Sequence, residues 1–140
     1  MNEIPPTEAE VNPEFRDMVR SSWCRETASP GCQEKWSPEN PALGQCAVTA
    51  LLVQDVLGGE LMRTSVEGQG SHYYNRLPDG RTLDLTRGQF PEGTVIPDGQ
   101  PVPREYVLGS ERAVAAQTPQ RYRWLKARFD LFAYAHTYGC

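Results

Sequence analysis

The chain has 140 residues, 39% of them hydrophobic and 23% charged, which suits one globular domain with a buried core and leaves no room for a second. A net charge of −4 opposes the phosphate attraction on which nucleic-acid binding depends, so nucleic acid is not an expected partner. No stretch has the apolar length of a membrane-spanning helix and the amino terminus carries no secretion signal, so a cytoplasmic protein with no membrane partner is expected.

Residues 1–11, with Pro5-Pro6 and several glutamates, show no apolar period and read as a flexible tail ahead of a core over residues 12–135. Asn12-Pro13-Glu14 is a helix-start signal: N-cap, first-turn proline and first-turn acid. Phe15, Met18, Val19 and Trp23 follow at helical spacing. From Cys24 to Pro41 the prolines and Gly31 predict a long loop, with Trp36 packed under the next helix. That helix runs from Cys46 to Leu57 and is apolar on most sides, which implies a central, buried position. Gly58-Gly59 ends it at a left-handed cap.

Residues 60–66 read as a first strand and residues 67–70 as a turn. Residues 71–76 and 81–86 flank Leu77-Pro78-Asp79-Gly80, a hairpin signal. Proline at the first corner suits a type I turn and is excluded from the primed turns, so a three-residue loop with a glycine bulge is predicted. Tyr74 then stands opposite Asp84 and His72 opposite Thr86, which makes His72 and Asp84 diagonal neighbours on one face, roughly 7–8 Å apart at the backbone. Residues 90–103 are expected to wrap irregularly over the sheet edge, and residues 104–108 to form an edge strand. Thr118-Pro119 starts a last helix with Tyr122, Leu125, Phe129 and Phe132 on its core face and Arg121, Arg123, Lys126 and Arg128 in solvent.

The chemistry gathers around Cys46. A thiol at a helix N-terminus sits at the positive end of the helix dipole, where the thiolate is favoured. His72 can take its proton, Asp84 can hold the imidazole tautomer, and the Cys46 N–H can stabilise an oxyanion. Gln45 and Asn40 are candidate side-chain donors to the same oxyanion, although an Asn before proline is also a common turn former. Trp36, Tyr73 and Tyr74 are expected as core or pocket wall, with Trp36 and Tyr74 assigned to the wall. The cysteines Cys24, Cys32, Cys46 and Cys140 match no zinc spacing, so neither a metal nor a cofactor is expected. Cys24 and Cys32 could close a short disulfide in an oxidising compartment; without a secretion signal, two free thiols are expected.

The segments Asn40-Pro-Ala-Leu-Gly-Gln-Cys46, Gly58-Gly59-Glu60, Ser71-His72-Tyr73-Tyr74-Asn75-Arg76-Leu-Pro-Asp-Gly80, Asp84-Leu-Thr86 and Gln89-Phe90, with Trp23 and Arg121-Tyr122, resemble the YunG-like bacterial family. The likeness runs from about Trp23 to Arg128. Its order of Cys helix, His strand and Asp strand is similar to the papain-like and transglutaminase-like superfamily. The resemblance implies an α+β fold, a Cys-bearing helix packed on a small antiparallel sheet, with Cys46, His72 and Asp84 at the matching catalytic positions. The family pattern has serine at Cys24 and more often tryptophan at Tyr74, so Cys24 is not expected among shared machinery. The expected activity is that of a cysteine hydrolase or acyltransferase acting on an amide or thioester of an unidentified peptide, protein or small amide. Protease, amidase, deamidase and transglutaminase chemistry all fit. A non-enzymatic binding module of the same fold and a toxin or effector that deamidates glutamine are the alternatives. Nothing in the sequence sets the oligomeric state.

Overall fold

Asn12 opens the first helix, α1 (Pro13–Ser22), by accepting from the Glu14 N–H at 2.8 Å through its side chain. The structure, a computed structural model, describes residues 11–138. The tail expected over residues 1–11 and the chain-end Cys140 therefore lie outside the described residues, except for Val11, which packs against the core. Phe15 and Val19 of α1 are buried against Leu125 and Phe129 of the long last helix, α6 (Thr118–Tyr138).

The segment after α1 is more ordered than the expected loop. It contains a single-turn 3₁₀ helix at Arg25–Thr27 and a short helix, α2 (Pro30–Gln33). Pro30 stands at the start of α2, where proline is tolerated because its missing N–H would be unpaired anyway. Trp36 does not pack under the central helix. It is half-buried, donates to the Pro41 carbonyl at 2.9 Å and lies under the Arg25 guanidinium. Trp23 holds the buried position instead, donating through Nε1 to Thr49 Oγ1 at 2.9 Å.

The central helix, α3 (Cys46–Leu57), is buried without a break from Val48 to Val53. Val48, Leu52 and Val53 pack toward α1 and α6, while Ala50 and Leu51 pack toward the sheet, so the helix is a layer between two others. Such burial is worth roughly 2 kcal/mol per large aliphatic side chain. Gly58 and Gly59 end the helix with φ of +78° and +89°, and a Cβ on Gly59 would collide with the Arg76 carbonyl oxygen. Glycine is required there by both the conformation and the close approach.

The sheet has the order β3-β2-β1-β4 and is antiparallel throughout, with β1 (Glu60–Val66), β2 (Gly70–Arg76), β3 (Thr82–Leu83) and β4 (Gln100–Val102). The hairpin has the register read from its turn: Asn75 pairs with Leu83 and Arg76 with Thr82. The Leu77 N–H closes the loop on the Arg81 carbonyl at 2.7 Å, and Gly80 has φ +91°. The β3 ladder stops after two residues rather than six, so His72, Tyr73 and Tyr74 have no strand partner on that side of β2.

Residues 91–99 have no regular structure and end at β4, which supplies the edge strand. Pro101 is accommodated because β4 pairs on one side only. Residues 104–108, expected as that strand, form a helix, α4 (Arg104–Gly109), which begins directly after Pro103. A further short helix, α5 (Glu111–Ala115), precedes α6. Two assignments on α6 are also corrected. Phe132 is 38% exposed, whereas Arg121, expected in solvent, is 4% exposed and donates to the carbonyls of Thr27 and Ala116, both at 2.9 Å. The fold is thus α+β, a small antiparallel four-stranded sheet with several helices. No described helix is long and apolar enough to cross a membrane.

Candidate active site

Cys46 is the first residue of α3, half-buried, and no side chain caps this helix end. The N–H groups of the first turn have no intrahelical partner, so the Cys46 amide is available to an incoming group. His72 comes from the part of β2 that β3 leaves unpaired and is fully buried. Its Nε2–H donates to Asp84 Oδ2 at 2.7 Å. The Thr86 hydroxyl donates to the other Asp84 oxygen at 3.4 Å. Phe90 meets the imidazole edge-on at 4.9 Å between centroids. With Nε2 committed to Asp84, Nδ1 is the ring nitrogen left over; it is buried and has no hydrogen-bond partner.

The electrostatics follow from this packing. Burial is the largest influence on His72 and works against its charge. The hydrogen bond to Asp84 and the nearby Cys46 side chain, with the charges of both, outweigh it and raise the pKa from 6.5 to about 9. Burial also pushes the Arg121 guanidinium below its ordinary range, with the Cys46 and Cys32 sulfurs opposing the shift. Burial raises the Tyr73 phenol, helped by Tyr106 and opposed by Arg63.

Beside Cys46 lies a cleft of about 320 Å³ whose walls include Tyr73, Tyr106, Gln89, Phe90, Arg112 and Arg121. His72 sits behind this surface rather than on it. The chain therefore joins His72 to Asp84 directly, with Cys46 on the cleft wall in front of them, and leaves four other assigned residues apart. Gln45 is fully buried, and its amide donates to the Cys24 carbonyl at 3.0 Å while accepting from the Thr27 hydroxyl at 2.8 Å. Asn40 bridges back to Ser37 in the turn that precedes α3, the role a residue before proline usually takes. Neither lines the cleft. Nor does Trp36, held against Pro41, or Tyr74, because alternation along β2 sends Tyr74 to the face opposite Tyr73. Tyr74 instead anchors the wrap, its hydroxyl accepting from the Gly99 N–H at 2.7 Å.

Gln89, visible in the sequence only as part of the Gln89-Phe90 motif and with no role assigned, lines the cleft. Its Oε1 accepts from the Gly44 N–H at 3.4 Å, while Nε2 is buried with no hydrogen-bond partner. It arrives through the 3₁₀ turn Arg87–Gln89 that follows Asp84, so only a folded hairpin reveals it. Cys24, Cys32 and Cys46 are free thiols, and among the described residues no three His, Cys, Asp or Glu side chains gather to hold a metal ion.

Comparison with known proteins agrees with the local motifs. The sequence model of one family, described as "YunG protein", matches residues 12–133. The chain belongs to the YunG family. It is 32% identical over 114 residues to "Uncharacterized protein YunG" of Bacillus subtilis (strain 168), an alignment that covers 81% of this chain and 86% of that relative. The YunG match spans all of Cys46, His72, Asp84 and Gln89. No solved structure matches the chain significantly.

Proposed function

We propose that this YunG-family chain is a papain-like or transglutaminase-like thiol enzyme, a cysteine hydrolase or acyltransferase acting on an amide or thioester. The observation that carries the reading is the 2.7 Å bond from His72 Nε2 to Asp84, which leaves Nδ1 for the thiol at the start of α3. The Cys–His–Asp order and the Cys helix laid on an antiparallel sheet support it.

In the reactive form the Cys46 proton resides on His72 Nδ1, so that a thiolate faces an imidazolium held by Asp84. Sulfur attacks the acyl carbon, and the carbonyl π pair moves onto oxygen, which takes hydrogen bonds from the Cys46 N–H and Gln89 Nε2. When the carbonyl re-forms, the bond to the leaving amine or thiol breaks and that group takes the proton from Nδ1. Water then attacks the acyl-Cys46 thioester, giving up a proton to His72, and the released thiolate recovers that proton. With water the outcome is hydrolysis or, on a glutamine side chain, deamidation; with an amine it is acyl transfer.

Alkylation by iodoacetamide at neutral pH tests the activated thiol. Cys46 should react well above the rate of a free cysteine, and His72→Ala should bring it down to that rate. The burial of His72 behind the cleft surface favours a second reading, a binding module that keeps the triad for structural reasons. That reading is supported if Cys46 reacts like a free thiol and His72→Ala changes nothing.

A further inference from the structure

The cleft beside Cys46 is lined by two arginines, Arg112 and Arg121, and by no aspartate or glutamate, although the whole chain carries −4. Elsewhere among the described residues arginines meet carboxylates: Arg104 with Asp55 at 3.1 Å and Arg81 with Asp79 at 2.8 Å. Here the cations converge on a neutral group. Ser71 Oγ accepts from Arg63 Nη2 at 2.7 Å and from Arg112 Nη1 at 3.2 Å. Among the described residues no carboxylate pairs with either guanidinium, and Arg63 Nε is buried with no hydrogen-bond partner. Two like charges around one hydroxyl repel each other, and an anion placed between them would relieve that repulsion. Arg63 is held over the Tyr106 ring, and Arg112 reaches Ser71 from an exposed position on α5. Ser71 and Arg112 line the same cleft as the thiol, and Arg63 reaches it from the neighbouring strand through its bond to Ser71 Oγ.

We propose that Arg63 and Arg112 form a carboxylate-binding site, and that the acyl substrate of Cys46 carries a carboxylate remote from its reacting carbonyl. The anion site stands on the arginine geometry, while its link to Cys46 rests on the thiol-enzyme reading above. A carboxylate suits these donors because its two oxygens accept several N–H bonds from guanidinium forks. No acid stands in the cleft wall to repel it.

Two measurements separate the site from its use. Glutarate is titrated into ¹⁵N-labelled protein, and the Nε–H signals of Arg63 and Arg112, assigned with Arg63→Lys and Arg112→Gln, are followed. Saturable shifts of both with glutarate, and none with the neutral glutaramide, are expected. No shift, equal shifts with glutaramide, or shifts with inorganic phosphate alone would overturn the carboxylate site. In the second measurement Cys46 is acylated by two thioesters with the same acyl chain, one ending in a carboxylate and one in a carboxamide. Rates are normalised to iodoacetamide alkylation of the same variant. The carboxylate should react about tenfold faster or more, and Arg112→Gln should bring the ratio near one, as expected for loss of charged hydrogen bonds. A preference that survives both Arg112→Gln and Arg63→Gln overturns the proposal. Saturable glutarate shifts with no acylation by either thioester uphold the carboxylate site and overturn the thiol-enzyme reading instead.

Discussion

Replacing Asp84 by asparagine removes one charge while keeping the side chain's shape. The rise of His72 from 6.5 to about 9 amounts to roughly 3 kcal/mol in favour of the imidazolium. Asp84 contributes through both a hydrogen bond and its charge, against burial, which is the largest influence and lowers the value. Without Asp84 the His72 pKa should fall toward 6.5, since burial is then opposed only by the Cys46 side chain. Imidazole NMR titration reads this directly, because the chain has two histidines and the other, His136, is half-exposed on α6 beside Glu14. Acylation of Cys46 at neutral pH should slow on the order of 10²- to 10⁴-fold, the scale seen when a triad carboxylate is neutralised. A His72 pKa that stays near 9 in Asp84→Asn would refute the reasoning. Stability carries the same signature. A group whose folded pKa is raised stabilises fully below its unfolded value and loses that contribution as pH climbs through the folded value. The wild-type midpoint in denaturant should therefore fall between pH 6.5 and about 9, with an upper limit of about 3 kcal/mol, and Asp84→Asn should be nearly flat across that window.

Gln89→Ala should slow acylation of Cys46 by a thioester about 10²-fold relative to alkylation by iodoacetamide, which develops no oxyanion; equal slowing of both would assign Gln89 to packing alone. Gly59→Ala should cost at least ~2 kcal/mol in denaturant unfolding, because φ is +89° and the new Cβ meets the Arg76 carbonyl. A loss under half that would mean the strand moves aside easily.

What the sequence makes legible is local and tied to stereochemistry. Asn12-Pro13 sets the start of α1, and Leu77-Pro78-Asp79-Gly80 sets a hairpin register because proline and glycine each permit few conformations. That register brings His72 and Asp84 to one face, and their bond follows. Residues 104–108 form a helix rather than a strand because Tyr, Val and Leu suit both, so the segment's own composition does not choose between them. The charge of Arg121 is visible in the sequence and points to solvent, whereas its buried acceptors, the carbonyls of Thr27 and Ala116, come from segments distant in the chain or from the turn before α6. Gln45 and Gln89 show the limit most clearly. Adjacency to Cys46 suggested Gln45, but its amide turns inward to Cys24 and Thr27, and the amide with a free donor comes from a turn beyond the hairpin.

The central claim is a covalent acyl-Cys46 intermediate. Peptide mass analysis after brief exposure to a thioester, quenched in acid, should find one acyl group on Cys46, absent in His72→Ala and lost from the wild type on standing as product forms. Acylation spread equally over Cys24, Cys32 and Cys46, or unchanged in His72→Ala, would contradict it.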